Sequence, residues 1–381
     1  MGNMTNARTK RPEGRQSLGF SFDPVDLRPL LLSWYQQHKR ALPWRVLWAR
    51  RGDPYLVWVS EIMLQQTVIK AVLPAYERFL QRFPDVFALA RATEPSVQQA
   101  VRGLGYYRRF RLLHTAAKAI VAEGGAWPKT FAGWLELPGV GEYTAAAVSS
   151  IAFGFPAAVV DGNVERVFCR LLDLREPPNQ PALKRQFKIL AATFLDHAQP
   201  GDFNQALMEL GQTVCTVTSP RCATCPLRLG CLARRRHSQA LAPAPKTKAA
   251  FKDVAMRLVI IHHQGKIGLF PRPEDAKFLR HTAGFLTILA DSAEECRLDG
   301  WESSGPGVGW HKAQSAGRVR HTITNHRIMA SVECAALHHG TLPPGGRWVK
   351  PKAVEEQLVA SLDRKAWLAY QRTLSASDPL P

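Results

Sequence analysis

Cys215, Cys222, Cys225 and Cys231 carry four of the chain's seven sulfhydryls within seventeen residues, in the spacing C-x6-C-x2-C-x5-C. Thiolates this close in sequence are ligands: soft sulfur takes zinc, copper(I) or an iron–sulfur group. Structural zinc sites usually pair their ligands in shorter, more symmetrical steps. Cys169, Cys296 and Cys334 are scattered. An odd, clustered set argues against a disulfide framework and for a reducing compartment.

A second chemistry needs two carboxyl groups. Cleavage of a glycosidic bond asks for one protonated acid at the leaving group and one carboxylate beside the developing oxocarbenium ion. With 31 acidic residues, context must decide. Glu61 lies in the otherwise apolar run Trp58–Leu64, where burial would raise its pKa as an acid catalyst requires. The plain alternative is a first-turn glutamate favoured by the helix dipole. Asp161, in Val159–Val164, precedes a helical pattern and reads first as a turn and N-cap. A carboxylate so capped is also held rigidly where a cation can form. Leu137-Pro138-Gly139-Val140-Gly141 opens the next candidate helix. Gly139 and Gly141 permit positive φ and close approach, so backbone N–H groups there can grip a phosphate. An ordinary tight turn reads the same way.

These residues need elements to hold them. Apolar positions at intervals of three and four predict amphipathic helices at Leu27–His38, Val57–Phe83, Val97–Ala122 (broken near Gly103–Gly105), Glu142–Phe153 and Val164–Leu174. Residues 235–250, basic and then rich in proline and alanine, read as a linker. Beyond it the period changes. Val254–Phe270 reads as a hairpin around His263–Lys266, Ala283–Ala290 and Ile328–Ala335 as strands, and Val354–Leu374 as helix. The expected fold is mainly α with an α+β C-terminal domain. Its divisions are a basic, disordered tail at 1–22, a helical core at 23–234, a linker at 235–250, a second domain at 251–372 and a tail at 373–381.

Fifty Lys and Arg give a formal charge of +19, which favours a polyanionic partner. No uninterrupted apolar run approaches the roughly 18 residues of a membrane span. Residues 1–20 lack the apolar core of a secretory signal.

The motifs together resemble the adenine glycosylase branch of the endonuclease III superfamily of DNA glycosylases. SEIMLQQT at Ser60–Thr67, GLGYY at Gly103–Tyr107, LPGVGEYTAAA at Leu137–Ala147, VDGNVERV at Val160–Val167 and FNQALMELG at Phe203–Gly211 occur in family order. The resemblance covers roughly Pro29 to Arg235. It implies a two-lobed helix-hairpin-helix core, with Glu61 and the hairpin in one lobe and Asp161 in the other. It implies a [4Fe–4S] cluster on Cys215, Cys222, Cys225 and Cys231, and Glu61 as the acid that protonates adenine. Asp161 would stabilise or bond to the sugar C1′, with Asn163 and Tyr143 as supports. Gln66 and Tyr106 fit the wedges that enter the base stack, with Thr67 beside them. Arg40 and Gln205 match positions that line the adenine pocket, and Gly139 and Gly141 the phosphate-gripping hairpin. Strand-cleaving relatives carry a lysine two residues after the second glycine, for a Schiff base. Tyr143 stands there, so the resemblance implies hydrolysis with little or no lyase activity. Where the family usually has another glutamine, this chain has Val68.

In this family the second domain resembles a Nudix fold and inspects 8-oxoguanine. Here a GLWEFP-like signature is absent, with Arg280–Leu286 near its place, and no Nudix hydrolase box surrounds Glu294, Glu295, Glu355 or Glu356. The sensing loop, usually phenylalanine-serine-histidine, reads Ile323-Thr324-Asn325-His326, which leaves Thr324 as the hydroxyl contact and Asn325 or His326 in place of the imidazole. The implied partner is duplex DNA with adenine opposite 8-oxoguanine or guanine, met by a monomer. The site of action is the bacterial cytoplasm at the nucleoid, or the nucleus or mitochondrion of a eukaryote. A mismatch-specific thymine glycosylase and a catalytically silent DNA-binding protein are the rival readings. Retention of Glu61, Asp161, Asn163 and Tyr143 together weighs against the second.

Overall fold

A computed structural model describes residues 24–245, 250–289, 309–310, 313–339, 342 and 345–376. The expected tail at 1–22, Cys296, Glu294 and Glu295 lie outside the described residues, as do 246–249 of the linker and 377–381 of the C-terminal tail. The described residues form two compact units. One draws on Met1–Ile62 and Ala126–Thr247, the other on Met63–Gly125 and Lys248–Pro381.

The first unit is helical. Helices Pro24–His38, Glu142–Phe153, Gly162–Leu172, Pro181–Phe194 and Pro200–Thr213 pack their apolar faces on one core. Phe168, Phe187, Phe194 and Phe203 stack through it, all fully buried. Pro43, Pro181 and Pro200 each begin a helix, where a missing N–H costs nothing. Gly211 is required by packing: a Cβ there would come within 2.6 Å of the Asn163 Cβ. The expected linker is not free chain over its first half. Arg235 ends helix Leu232–Arg235. Ser238 and Ala242 are buried, and the Ala244 N–H bonds to the Arg175 carbonyl. A buried arginine, Arg170, binds the Gln239 and Ala242 carbonyls.

The second unit combines helices Ile69–Arg82, Val86–Arg91, Glu94–Ala100 and Arg108–Ala122 with the C-terminal sheet. Its strands are β1 (Lys252–His263), β2 (Lys266–Pro271), β3 (Ala283–Gly284), β4 (Leu286–Leu289), β5 (Gly309–Trp310), β6 (Gln314–Ile323), β7 (His326–His339) and β8 (Arg347–Val349). The spatial order is β3-β2-β1-β7-β5, with β4 on β1, β6 on β7 and β8 on β2. β1 and β7 run parallel, Lys252 opposite His326, and the other pairs are antiparallel. Even-numbered β1 residues Val254–Ile260 face helices Pro351–Gln357 and Ser361–Ala376, while Val259 and Ile261 serve a smaller core on the other face. This is the α+β arrangement expected.

Two sequence expectations change. The single run Val57–Phe83 is two helices, Pro54–Leu64 and Ile69–Arg82, parted where Gln66 adopts φ +53°. Residues 63–125, expected to belong with the helical core, group with the C-terminal domain. Side chains far apart in sequence make that bond. Gln98 Nε2 donates to the His281 carbonyl at 2.9 Å, Arg102 Nη1 to that of Glu355 at 2.9 Å, and the Tyr107 hydroxyl to that of Val359 at 2.8 Å.

Candidate active site

Helix Pro54–Leu64 is anchored by Trp58, whose ring lies 5.9 Å from Trp127 and 5.8 Å from Trp134. It carries Glu61 into the interior of the first unit, where the residue is only 6% exposed. The Tyr143 hydroxyl donates to Glu61 Oε2 at 2.9 Å, from the start of helix Glu142–Phe153. Burial pushes the Glu61 carboxyl up to about 7; the Tyr143 hydrogen bond and the charge of Arg45 pull down, and Asp161 pushes up. Desolvation dominates because a carboxylate loses far more hydration than a carboxylic acid. The Tyr143 hydroxyl is itself raised well above its ordinary value by burial and the neighbouring carboxyl, so it stays a donor.

Asp161 is the N-cap of helix Gly162–Leu172. Its Oδ1 accepts the N–H groups of Asn163 at 2.9 Å and Val164 at 2.8 Å, and its Oδ2 accepts Asn163 Nδ2 at 2.7 Å. The turn and N-cap reading of Asp161 is therefore what the structure shows, and the cap holds the carboxylate rigidly. Buried Asn204 fixes the chain that leads there, accepting from the Val159 N–H at 3.0 Å and donating to the Ala157 carbonyl at 2.8 Å. Arg166 extends the set, since Nη2 donates to Asn163 Oδ1 at 2.9 Å and Nε to the Cys215 carbonyl at 2.8 Å.

Arg40 and Gln205 are both engaged. Arg40 Nε lies 2.5 Å from Glu209 Oε1, and Gln205 Oε1 accepts Arg45 Nε at 2.9 Å. Arg45 also pairs with Glu209, at 3.0 Å. Glu209 is 1% exposed and its carboxyl is held below the usual range by these two guanidiniums, against the opposing effect of burial. Arg45 and Glu209 were missed in sequence because nothing local marks an ion pair spanning 164 residues. Gly139 has φ +77° and makes the hairpin turn, but Gly141 is extended at φ −95° as the N-cap of helix Glu142–Phe153. Only Gly139 uses the freedom expected of both.

Gln66, Thr67 and Tyr106 belong to the second unit. Gln66 is exposed and Tyr106 is 49% exposed, so neither is a core side chain. Thr324, also exposed, occupies the tight turn between β6 and β7 at φ +53°, its hydroxyl on the Ile323 carbonyl at 2.7 Å.

Cys215, Cys222, Cys225 and Cys231 line one pocket with Arg170, Arg228 and Arg234. Among the described residues no group of three or more His, Cys, Asp or Glu is arranged to hold a metal ion. Arg170 Nη1 donates to Cys215 Sγ at 3.4 Å, and Gln239 Nε2 approaches Cys222 Sγ at 3.8 Å. Burial pushes the Cys225 thiol up to about 12 and raises that of Cys231.

Residues 59–192 match the family described as HhH-GPD superfamily base excision DNA repair protein. The chain is 35% identical over 410 residues to the adenine DNA glycosylase of Homo sapiens, an alignment covering 90% of this chain and 74% of that protein. Identity to the Mus musculus adenine DNA glycosylase is 32% over 408 residues, covering 92% and 78%. Among solved structures, a thermostable thymine-DNA glycosylase aligns with a TM-score of 0.50 at 26% identity, covering 56% of this chain and 97% of that one. No described helix is long and apolar enough to cross a membrane.

Proposed function

The chain belongs to the adenine DNA glycosylase family, and from that premise we propose that it hydrolyses the N-glycosidic bond of adenine mispaired with 8-oxoguanine or guanine. The observation that carries the reading is a buried glutamic acid, hydrogen-bonded to Tyr143 and electrostatically coupled to the capped aspartate Asp161. Glu61, protonated up to about pH 7, delivers its proton to the adenine ring as the bond to C1′ lengthens. Asp161, fixed by three hydrogen bonds, offers negative charge to the oxocarbenium ion without reorganising. Water completes the reaction at C1′, and the backbone stays intact because Tyr143 supplies no amine where a Schiff base would form. Gly139 and Gly141 hold phosphate, Gln66 and Tyr106 enter the stack as the base flips, and Arg40 and Gln205 border the adenine pocket.

The cysteine pocket fits a [4Fe–4S] cluster by its all-sulfur donor set and the arginines around it. Cys215, Cys222, Cys225 and Cys231 would ligate it, and its contribution here is to fold the loop 215–231 as a basic platform for phosphate. The α+β domain is read as a Nudix-like inspector of the opposite base. The protein works as a monomer wherever its DNA lies, at a bacterial nucleoid or in a eukaryotic nucleus or mitochondrion.

Duplexes bearing A opposite 8-oxoguanine, A opposite G, and T opposite G separate the readings under single-turnover conditions. Release of adenine from the first two, with strand breakage only after alkali, is expected. Release of thymine from T opposite G with adenine untouched would replace this function by that of a thymine glycosylase, whose fold aligns with this core. Binding without release would leave a silent DNA-binding protein. Equimolar iron and sulfide at about four per chain is the expected content of the cysteine pocket; zinc in their place would overturn the cluster.

A further inference from the structure

Gln66 and Tyr106 share an unusual backbone: both lie in the left-handed region, at φ +53° and +49°. Side chains other than Asn, Asp and His seldom adopt it, and it persists only where the surroundings over-determine it. Neither side chain is itself buried in a way that could impose the conformation. The constraint comes from Arg109, 8% exposed, in the first turn of helix Arg108–Ala122. Its Nη1 donates to the Met63 carbonyl at 2.9 Å and also to the Gln65 carbonyl. Its Nη2 donates to Thr67 Oγ1 at 2.8 Å and to the Leu104 carbonyl at 3.3 Å. One guanidinium therefore holds the residues on either side of Gln66 and the residue two before Tyr106. The Thr67 hydroxyl closes the ring, 3.5 Å from the same Leu104 carbonyl. Phe110 backs the guanidinium, with its ring centroid 4.5 Å away.

We propose that Arg109 is a positioning residue for base extrusion: a single planar clamp that presets the Gln66 loop and the Tyr106 loop as one unit before DNA arrives. The inference rests on the reading of Gln66 and Tyr106 as the residues that enter the base stack. A guanidinium is needed because four acceptors, one at the end of helix Pro54–Leu64 and three on the two loops, lie around one rigid fork, which the point charge of a lysine cannot span. Burial lowers the Arg109 pKa only to about 10, so the clamp stays charged at neutral pH. Rigid loops spare the ordering that an extruding enzyme would otherwise have to impose on each encounter.

The test compares Arg109→Met and Arg109→Lys with the unaltered full chain on two substrates. One is a duplex with adenine paired opposite 8-oxoguanine; the other presents adenine already unpaired, opposite an abasic-site analogue. Single-turnover excision from the paired duplex should fall on the order of 10- to 100-fold in both variants, the scale of a misplacement of about 1 Å. Excision from the unpaired substrate should stay within about threefold, since no extrusion is needed. The fluorescence rise of 2-aminopurine at the target position, which reports unstacking, should shrink in both variants. Equal losses on the two substrates, or an unchanged fluorescence step, would overturn the clamp. Should Arg109→Met fail to fold, Thr67→Val removes one acceptor only and must diminish the same fluorescence step. An unaltered protein that excises adenine from neither substrate defeats the enzymatic reading, while the fluorescence comparison still decides for or against the clamp.

Discussion

Glu61 stores its proton at a cost to the fold, and that cost has a sign. A carboxyl raised from 4.5 to about 7 by burial binds its proton more tightly folded than unfolded. The stability it permits is complete below about pH 4.5 and is lost as pH rises through 7. The loss reaches up to about 3 kcal/mol, taking about 1.4 kcal/mol for each tenfold difference in proton affinity. Glu61→Gln keeps the shape and can still accept from Tyr143, but it carries no charge. Its stability relative to the unaltered protein should rise between pH 4.5 and 8, read by denaturant unfolding at each pH. A constant difference would mean that Glu61 is not buried as an acid. Excision by the variant should fall by at least roughly 10²-fold. In the unaltered protein the single-turnover rate should hold below about pH 7 and decline about tenfold for each pH unit above it. Glu61 and Asp161 were legible because each sits in a local pattern, an acid in an apolar run and an aspartate before a helix. Arg45, Asn204, Arg166 and Glu209 were not, because their roles exist only as pairings between distant segments.

At the scale of elements, helix Gly162–Leu172 begins with the Asp161 cap, presents Asn163 to it, and carries Arg166 and Arg170 one and two turns further on. Arg170 binds Cys215 Sγ and the Thr216 and Val217 carbonyls, so one helix face runs from the carboxylate to the cysteine pocket. The start of helix Glu142–Phe153 and the Asp161 cap were readable as local signals, whereas helices Pro181–Phe194 and Pro200–Thr213 were not read from the sequence. The break at Gln65–Val68 was not, because the group that satisfies the last carbonyls of helix Pro54–Leu64 is Arg109, 46 residues beyond Met63. Nor could composition reveal that Ser238–Ala244 is held by Arg170 and Arg175. Tyr143 tests the helix Glu142–Phe153 as a platform. If its second residue stands where strand-cleaving relatives keep an amine, Tyr143→Lys should form an imine with C1′ and be trapped by borohydride, while the unaltered protein traps little. Strong trapping by the unaltered protein would show that another lysine serves.

Across the whole molecule, Glu61 and Asp161 belong to the first compact unit, and the β6–β7 turn, proposed to inspect the opposite base, to the second. The sheet that carries this turn was legible in outline from β-branched alternation around His263–Lys266 and along Ile328–Ala335. The parallel pairing of β1 with β7, set by contacts more than seventy residues apart, was not. That separation of units makes a clean prediction for Thr324. Among the described residues its hydroxyl bonds only within its own turn, donating to the Ile323 carbonyl and lying 3.4 Å from Asn325 Oδ1, so it can be exchanged for a contact to DNA at little loss. A threonine that merely suits a strand is the plain alternative, but Thr324 lies between the strands, in the turn itself. One such contact to 8-oxoguanine contributes about 0.5–1.5 kcal/mol net. Thr324→Ala should therefore lower the preference for A opposite 8-oxoguanine over A opposite G by roughly 2- to 13-fold. Excision from A opposite G should change little, because the carboxyl groups belong to the other unit. The measurement is the ratio of single-turnover rates at subsaturating enzyme on the two duplexes. An unchanged ratio, both in Thr324→Ala and in the triple alanine at Thr324, Asn325 and His326, would move discrimination out of this turn and onto another surface of the sheet.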